Sequence, residues 1–220
     1  MMQVYPIPCG LGIAFLVETG QGLFLIDSGS PGQQNRVLAK MRELGRADLK
    51  LIWITHAHYD HYGSAAALRA LTGARIGVHP ADADSMVSGQ SPLGSWRSYG
   101  FIYPLAQSLV NRIQPLPATP PDFTLADGQT LQSFGLNAMV LHTPGHTPGH
   151  TCLLLEDGTA FVADLIGGFP QPRLQGLLAT QWSQLPGSLA HLLESRPEWI
   201  FTGHVRHKLP GSLLKKVLRR

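Results

Sequence analysis

Short apolar runs and amphipathic stretches alternate through the first third of this chain. Ile13 to Glu18 and Leu23 to Ile26 predict two strands joined by Thr19-Gly20-Gln21-Gly22, a hairpin signal. Gln33 to Leu44 sets Val37, Leu38, Met41 and Leu44 at helical spacing and stops at Gly45. Leu49 to Thr55 predicts a buried strand, Ser64 to Leu71 an alanine-rich helix ended by Gly73, and Arg75 to Val78 another short strand. Alternation of this kind argues for α/β construction.

From Ser85 to Asp122 the periodicity fades, and two proline- and glycine-rich stretches, Ser91 to Trp96 and Pro115 to Pro121, punctuate the chain. Long irregular segments in compact domains are commonly lids or binding loops. Residues 85–122 are therefore expected to form a lid or specificity insertion. Trp96, Tyr99, Phe101 and Tyr103 could line a pocket there, with Tyr99 and Tyr103 the candidates to contact substrate. The same aromatics could instead fasten the loop to the body or serve a homodimer contact. Beyond it, Phe123 to Gly128, Gln132 to Val140, Thr151 to Leu155, Thr159 to Ala163 and Trp199 to Thr202 read as strands. Leu185 to Glu194 and Leu213 to Arg220 read as helices. No polar linker divides the chain, so residues 1–220 are expected to form one domain.

A faint duplication runs through this order. Gly22-Leu23-Phe24-Leu25-Ile26-Asp27 resembles Gly158 to Asp164, each a turn, an apolar strand and a terminal aspartate. Leu51 to His56 resembles Trp199 to His204, each an apolar strand reaching a terminal histidine. Two similar halves packed sheet against sheet would bring four strand ends to one edge.

Composition narrows the class. With 44% hydrophobic and 14% charged residues, 220 residues can bury a large core, and 24 glycines with 17 prolines argue against a helical bundle. Net charge is +3, much of the excess lying in Lys208, Lys215, Lys216, Arg219 and Arg220. No aromatic-interleaved basic stripe accompanies it, so nucleic acid is not an expected partner. Cys9 and Cys152 are too few for a disulfide framework, and Cys152 falls inside an apolar run as a small core residue. Leu11 to Val17 is a short apolar run without the flanks of a secretion signal, and no stretch reaches the length of a membrane span. The expectation is a cytoplasmic protein acting on a small molecule.

The chemistry concentrates in His56-Ala57-His58-Tyr59-Asp60-His61, directly after an apolar strand. On an extended segment alternate residues share a face, so His56, His58 and Asp60 are expected to converge while His61 turns inward. Tyr59 would then face the other way and pack. Imidazole nitrogens beside a carboxylate suit zinc and tolerate iron or manganese. Thr143-Pro144-Gly145-His146 aims a further histidine from a rigid turn, and Asp164 and His204 each close an apolar strand. His79, His191 and His207 lack such company and have bland explanations.

Asp27, the His56-x-His58-x-Asp60-His61 run, His146, Asp164 and His204 occur in the order found in the metallo-β-lactamase-fold hydrolase superfamily, which the chain resembles over nearly its whole length. The resemblance implies a four-layer αββα sandwich with metals at the sheet edge. It implies one metal on His56, His58 and His146, a second on Asp60, His61 and His204, and Asp164 bridging them. Asp27 would support the site through hydrogen bonds and not as a ligand. The family register selects His146 over His142 and His150, leaving His150 a structural role.

A dinuclear centre of this type activates a bridging hydroxide for attack on an electrophilic carbonyl. Asp60 could accept the proton of the attacking water as a secondary role. The pattern with Asp164 resembles the glyoxalase II and lactonase branch, whereas flavodiiron-type relatives carry glutamate where His58 stands. Sixteen residues follow His204, fewer than glyoxalase II uses for its glutathione thioester. The expected activity is hydrolysis of a small ester, lactone or thioester with two divalent ions, zinc foremost. A mononuclear iron persulfide dioxygenase is the alternative, and a non-catalytic metal-holding sensor ranks below both.

Overall fold

The Thr19–Gly22 hairpin is one step in a six-stranded sheet. A computed structural model describes residues 2–92, 94–96, 116–167 and 171–218. Strands β1 (Gln3–Cys9), β2 (Gly12–Thr19), β3 (Gly22–Ile26), β4 (Leu49–Trp53), β5 (Arg75–Val78) and β7 (Phe123–Thr124) lie in that order in the first sheet. The apolar pattern did not reveal β1, because Pro6 and Pro8 break it. Proline is tolerated there because, among the described residues, β1 is the sheet's edge strand and pairs with β2 alone. The second sheet runs β15 (Leu209–Pro210), β14 (Trp199–Thr202), β10 (Thr159–Ala163), β9 (Thr151–Leu155), β8 (Ala138–His142). Two short ribbons pair β6 (Ser95–Trp96) with β13 (Leu178–Ala179), and β11 (Ile166–Gly167) with β12 (Arg173–Leu174).

Three apolar clusters define four layers. Phe15, Val17, Phe24, Leu51 and Trp53 from the first sheet meet Val140, Leu153, Phe161 and Phe201 from the second. Phe161 stacks on Phe201 at 5.5 Å and meets Phe15 at 5.3 Å. The alternate residues Leu16, Leu25 and Ile52 face outward onto α1 (Gln34–Glu43), α3 (Ala65–Thr72) and α4 (Pro80–Ser88) through Val37, Met41, Leu68 and Met86. On the far side Cys152, Ala160, Val162 and Ile200 pack on α5 (Leu185–Glu194) and α6 (Leu213–Leu218). Covering both faces of each sheet requires apolar side chains on both faces, which is why the central strands read as unbroken apolar runs. The result is the αββα sandwich expected from the sequence.

The duplicated motifs occupy equivalent places. β3 and β4 pair in parallel with Ile26 opposite Trp53, and β10 and β14 pair in parallel with Ala163 opposite Thr202. At both strand ends the backbone enters the left-handed region, at Asp27 (φ 58°) and at Ala163 (φ 43°), a conformation costly for non-glycine residues and concentrated at functional sites.

Three local expectations change. The chain leaves β4 at Trp53, bends at Thr55 and His56 and is extended at His58, and Tyr59–Tyr62 forms a helical turn, α2, so strand alternation does not position Asp60. Tyr59 packs against the outer core from that turn. Gln132 to Val140 divides into a 3₁₀ turn, Gln132–Phe134, and β8, because Gly135 at φ 93° ends the turn and reverses the chain. Helix α4, with Pro80 in its first turn and Gly89 as its left-handed stop, overlaps the start of the segment expected to be irregular. The far end of that segment packs back on it, since Leu116 is buried and Thr119 N–H donates to Met86 O at 2.8 Å. Tyr99, Phe101 and Tyr103 lie outside the described residues. Among the described residues no helix is long and apolar enough to cross a membrane.

Candidate metal centre

Three strand ends, one helical turn and one connecting loop deliver the candidate ligands to one edge of the sandwich. His56 and His58 follow β4, Asp60 and His61 lie on α2, and His146 sits in the loop between β8 and β9. Asp164 and His204 follow β10 and β14. Three groups gather there with ligand atoms within 4.8 Å of one another: His56, His58 and His146; Asp60, His61 and His204; and His56, His61 and Asp164. All but Asp60 and His204 are buried.

In the first group His56 Nε2 lies 3.0 Å from His58 Nδ1 and 3.2 Å from His146 Nε2. In the second, Asp60 Oδ2 lies 3.9 Å from both His61 Nε2 and His204 Nε2. Asp164 stands between the groups. Its Oδ2 is 3.5 Å from His146 Nε2 and 3.2 Å from His204 Nε2, and its Oδ1 is 3.6 Å from His61 Nε2. The edge opens to solvent on the side of His204 and Asp60, whose side chains are 45% and 14% exposed.

Each imidazole has its other nitrogen occupied. His56 Nδ1 meets Thr55 Oγ1 at 3.0 Å, and His58 Nε2 meets Pro92 O at 3.1 Å. His61 Nδ1 meets Asp27 Oδ2, His146 Nδ1 meets Leu178 O, and His204 Nδ1 meets Leu11 O, at 2.8 to 2.9 Å. The carbonyl and carboxylate contacts hold a proton on the outer nitrogen and turn the lone pair of the other inward, as ligating histidines require. His58 alone presents Nδ1. Asp27 also accepts from Thr55 N and Oγ1, so it joins the end of β4 to His61.

A cation fits this set. His61 Nε2 and Asp164 Oδ1 are buried with no hydrogen-bond partner among the described residues. Polar atoms left so are rare and costly, and a cation between them would satisfy both. Five imidazoles and two carboxylates could hold two ions of borderline character.

The same crowding sets the acid–base state of the ion-free protein. Burial opposes charge on His61, but Asp27, Asp164 and Asp60 outweigh it and lift its pKa to about 10. Asp164 raises His204 to about 9 against a smaller burial penalty. Burial would raise Asp164; His204 and His61 instead hold it well below the usual carboxylate range. Burial and neighbouring imidazoles push His56 and His146 well below the ordinary histidine value, which keeps them neutral and available as donors.

Several supporting residues escaped the sequence pattern. Gly203 leaves room for the centre: a Cβ there would press on Asp164 Oδ1 and come within 2.8 Å of His61 Cε1. Asp82, fully buried in the first turn of α4, accepts from Ala57 N, Thr147 Oγ1 and Gly149 N. Its one sequence signal is an acid two residues after the His79-Pro80 helix start. His150 is buried with Nδ1 2.9 Å from Thr143 Oγ1 and belongs to none of the three groups. His142 bonds Pro148 O and stacks on His79 at 3.9 Å, while His191 reaches Asp127.

Residues 7–204 match the family model of the metallo-beta-lactamase superfamily. A beta-lactamase-like protein 2 homolog of Drosophila melanogaster is 26% identical over 195 residues, covering 86% of this chain and 57% of that protein. A hydroxyacylglutathione hydrolase of Albidiferax ferrireducens is 30% identical over 146 residues, covering 66% of this chain and 42% of that enzyme. The chain thus spans about half the length of these curated relatives. Among solved structures, TTHA1623 in a di-iron-bound form shares the fold with a TM-score of 0.73 and 29% identity, over 97% of this chain and 98% of that one.

Proposed function

Because this chain belongs to the metallo-beta-lactamase superfamily, we propose that it is a metal-dependent hydrolase cleaving a small ester, lactone or thioester at a centre for two divalent cations. His56, His58 and His146 would hold one ion, Asp60, His61 and His204 the other, and Asp164 would be shared. One observation carries this reading: Asp164 directs one oxygen toward His61 and the other toward both His146 and His204. A carboxylate in that position is what two adjoining cation sites need. The hydrolases among the relatives and the di-iron-bound neighbour support it.

A bound ion pair would supply a water that ionises near neutrality and an electrophile for the substrate carbonyl oxygen. The protein's own groups do the rest. Asp60, on the solvent side beside His204, would take up the proton of the attacking water, a role secondary to ligation. Asp27 holds His61 in one tautomer, and the Leu11 carbonyl does the same for His204. Residues 85–122 would shape specificity. Support comes from Pro92 O against His58 and from Ser95–Trp96 pairing with Leu178–Ala179, next to the carbonyl that accepts from His146.

Zinc is the proposed metal, with iron and manganese compatible with the same donors. Asp60, His61 and His204 form a second group of donors that a one-ion dioxygenase site would not need, which favours the two-ion reading. The test is a panel of lactones, esters and thioesters offered to metal-loaded protein. Turnover of at least one class is expected, with loss of that turnover in Asp164→Ala. Activity undiminished by Asp164→Ala would overturn the proposal.

A further inference from the structure

We propose that Asp82 is a positioning residue that sets the separation of the two loops carrying His56, His58 and His146, and so tunes cation affinity at that group alone. The inference rests on the metal-centre reading above. Asp82 belongs to neither loop. It reaches in from α4, in the outer helical layer, and its side chain is fully buried.

One oxygen does the joining. Asp82 Oδ2 accepts from Ala57 N at 2.8 Å and from Thr147 Oγ1 at 2.7 Å. Ala57 lies between His56 and His58, and Thr147 directly follows His146. Asp82 Oδ1 accepts from Gly149 N at 2.6 Å, fixing the same loop a second time. The two loops leave different sheets, one after β4 and the other between β8 and β9. The approach is close enough to exclude a side chain: a Cβ on Gly149 would stand 2.6–2.7 Å from the backbone nitrogen, Cβ and Cγ of Asp82.

Ring orientation in the first group is set elsewhere, by Thr55, Pro92 O and Leu178 O. Thr151 N and Oγ1 tie the far end of the second loop to Thr55 O, and beside His56, His58 and His146 themselves the backbone spacing is held by Asp82. The second group is anchored independently, His61 by Asp27 and His204 by Leu11 O. Outer partners that orient ligands typically change metal affinity by about ten- to a hundredfold when removed. In Asp82→Asn the amide NH₂ would have to face one of three donors, so at least one tie is lost while volume is kept.

The experiment is zinc competition with a chromophoric chelator, in two backgrounds that each weaken one group. In His204→Ala, whose intact group is His56, His58 and His146, adding Asp82→Asn should weaken binding by roughly ten- to a hundredfold. In His58→Ala, whose intact group is Asp60, His61 and His204, the same substitution should leave affinity unchanged. Thr147→Val, which removes one tie and spares the carboxylate, should reproduce the selectivity with a smaller loss, and it carries the test if Asp82→Asn does not fold. Equal weakening in both backgrounds would show a general structural role and overturn the proposal, as would no weakening in either. Wild-type protein that binds no zinc would overturn the metal-centre reading itself, whereas wild-type binding of two ions with no selective effect overturns only the role of Asp82.

Discussion

Asp27 Oδ2 lies 2.8 Å from His61 Nδ1, and that contact decides which nitrogen of the imidazole faces the centre. The other Asp27 oxygen is held by Thr55 N, so the carboxylate cannot turn away. Asp27 and Asp164 end equivalent strands of the two halves, yet one supports a histidine from behind while the other stands between the ligand groups. The duplication therefore supplies a scaffold, and its two aspartates have diverged in task.

Replacing Asp27 tests the first of those tasks. In Asp27→Asn the amide oxygen can still accept from Thr55 N, which leaves the NH₂ group facing His61 Nδ1–H. Cation affinity at Asp60, His61 and His204 should fall by about ten- to a hundredfold, read by chelator competition, while the first group retains its ion.

Gly203→Ala adds one methyl where Asp164 and His61 leave no room. The backbone conformation is open to alanine, so folding should persist, with circular dichroism unchanged. Metal affinity should drop by roughly tenfold or more, in the range seen when ligand positioning is disturbed. Wild-type affinity in this variant would contradict the packing described for the centre.

The acid–base state of the ion-free centre gives a signed pH dependence. His61 and His204 have folded-state pKa values of about 10 and 9, above the ordinary histidine value. The folded chain thus keeps protons that the unfolded chain releases above about pH 6.5. Their stabilisation is fully present below that pH and is lost as pH rises through 9 to 10. Chelator-treated protein should lose melting temperature over this window more steeply than a His204→Ala variant. Because cations must displace these protons, loading at pH 7 should release about two protons per chain, measured in weak buffer.

Stability and metal binding should separate at the inter-sheet core. Phe161, three residues before Asp164, is buried against Phe15 and Phe201 in the inter-sheet core, on the opposite strand face from the helices. Phe161→Ala should cost about 3–5 kcal/mol in denaturant unfolding with metal stoichiometry unchanged.

Much of this was legible in the chain because the relevant signals are local. Apolar runs ending in Asp27, His56, Asp164 and His204 give the strand ends directly, and the spacing of His56, His58, Asp60 and His61 gives the densest part of the site. What escaped is set by tertiary contact. Edge strand β1 is disguised by Pro6 and Pro8, which only its unpaired side tolerates. The turn at Tyr59–Tyr62 is too short for helical periodicity to register. Gly203 and Asp82 matter through neighbours 25 and more positions away, and no spacing rule reaches them.

The most direct test of the two-ion centre is metal stoichiometry by elemental analysis on protein loaded with zinc and dialysed free of excess. Two ions per chain are expected, falling to one in His58→Ala and in His204→Ala. One ion per chain in the wild type, or none, would contradict the dinuclear site.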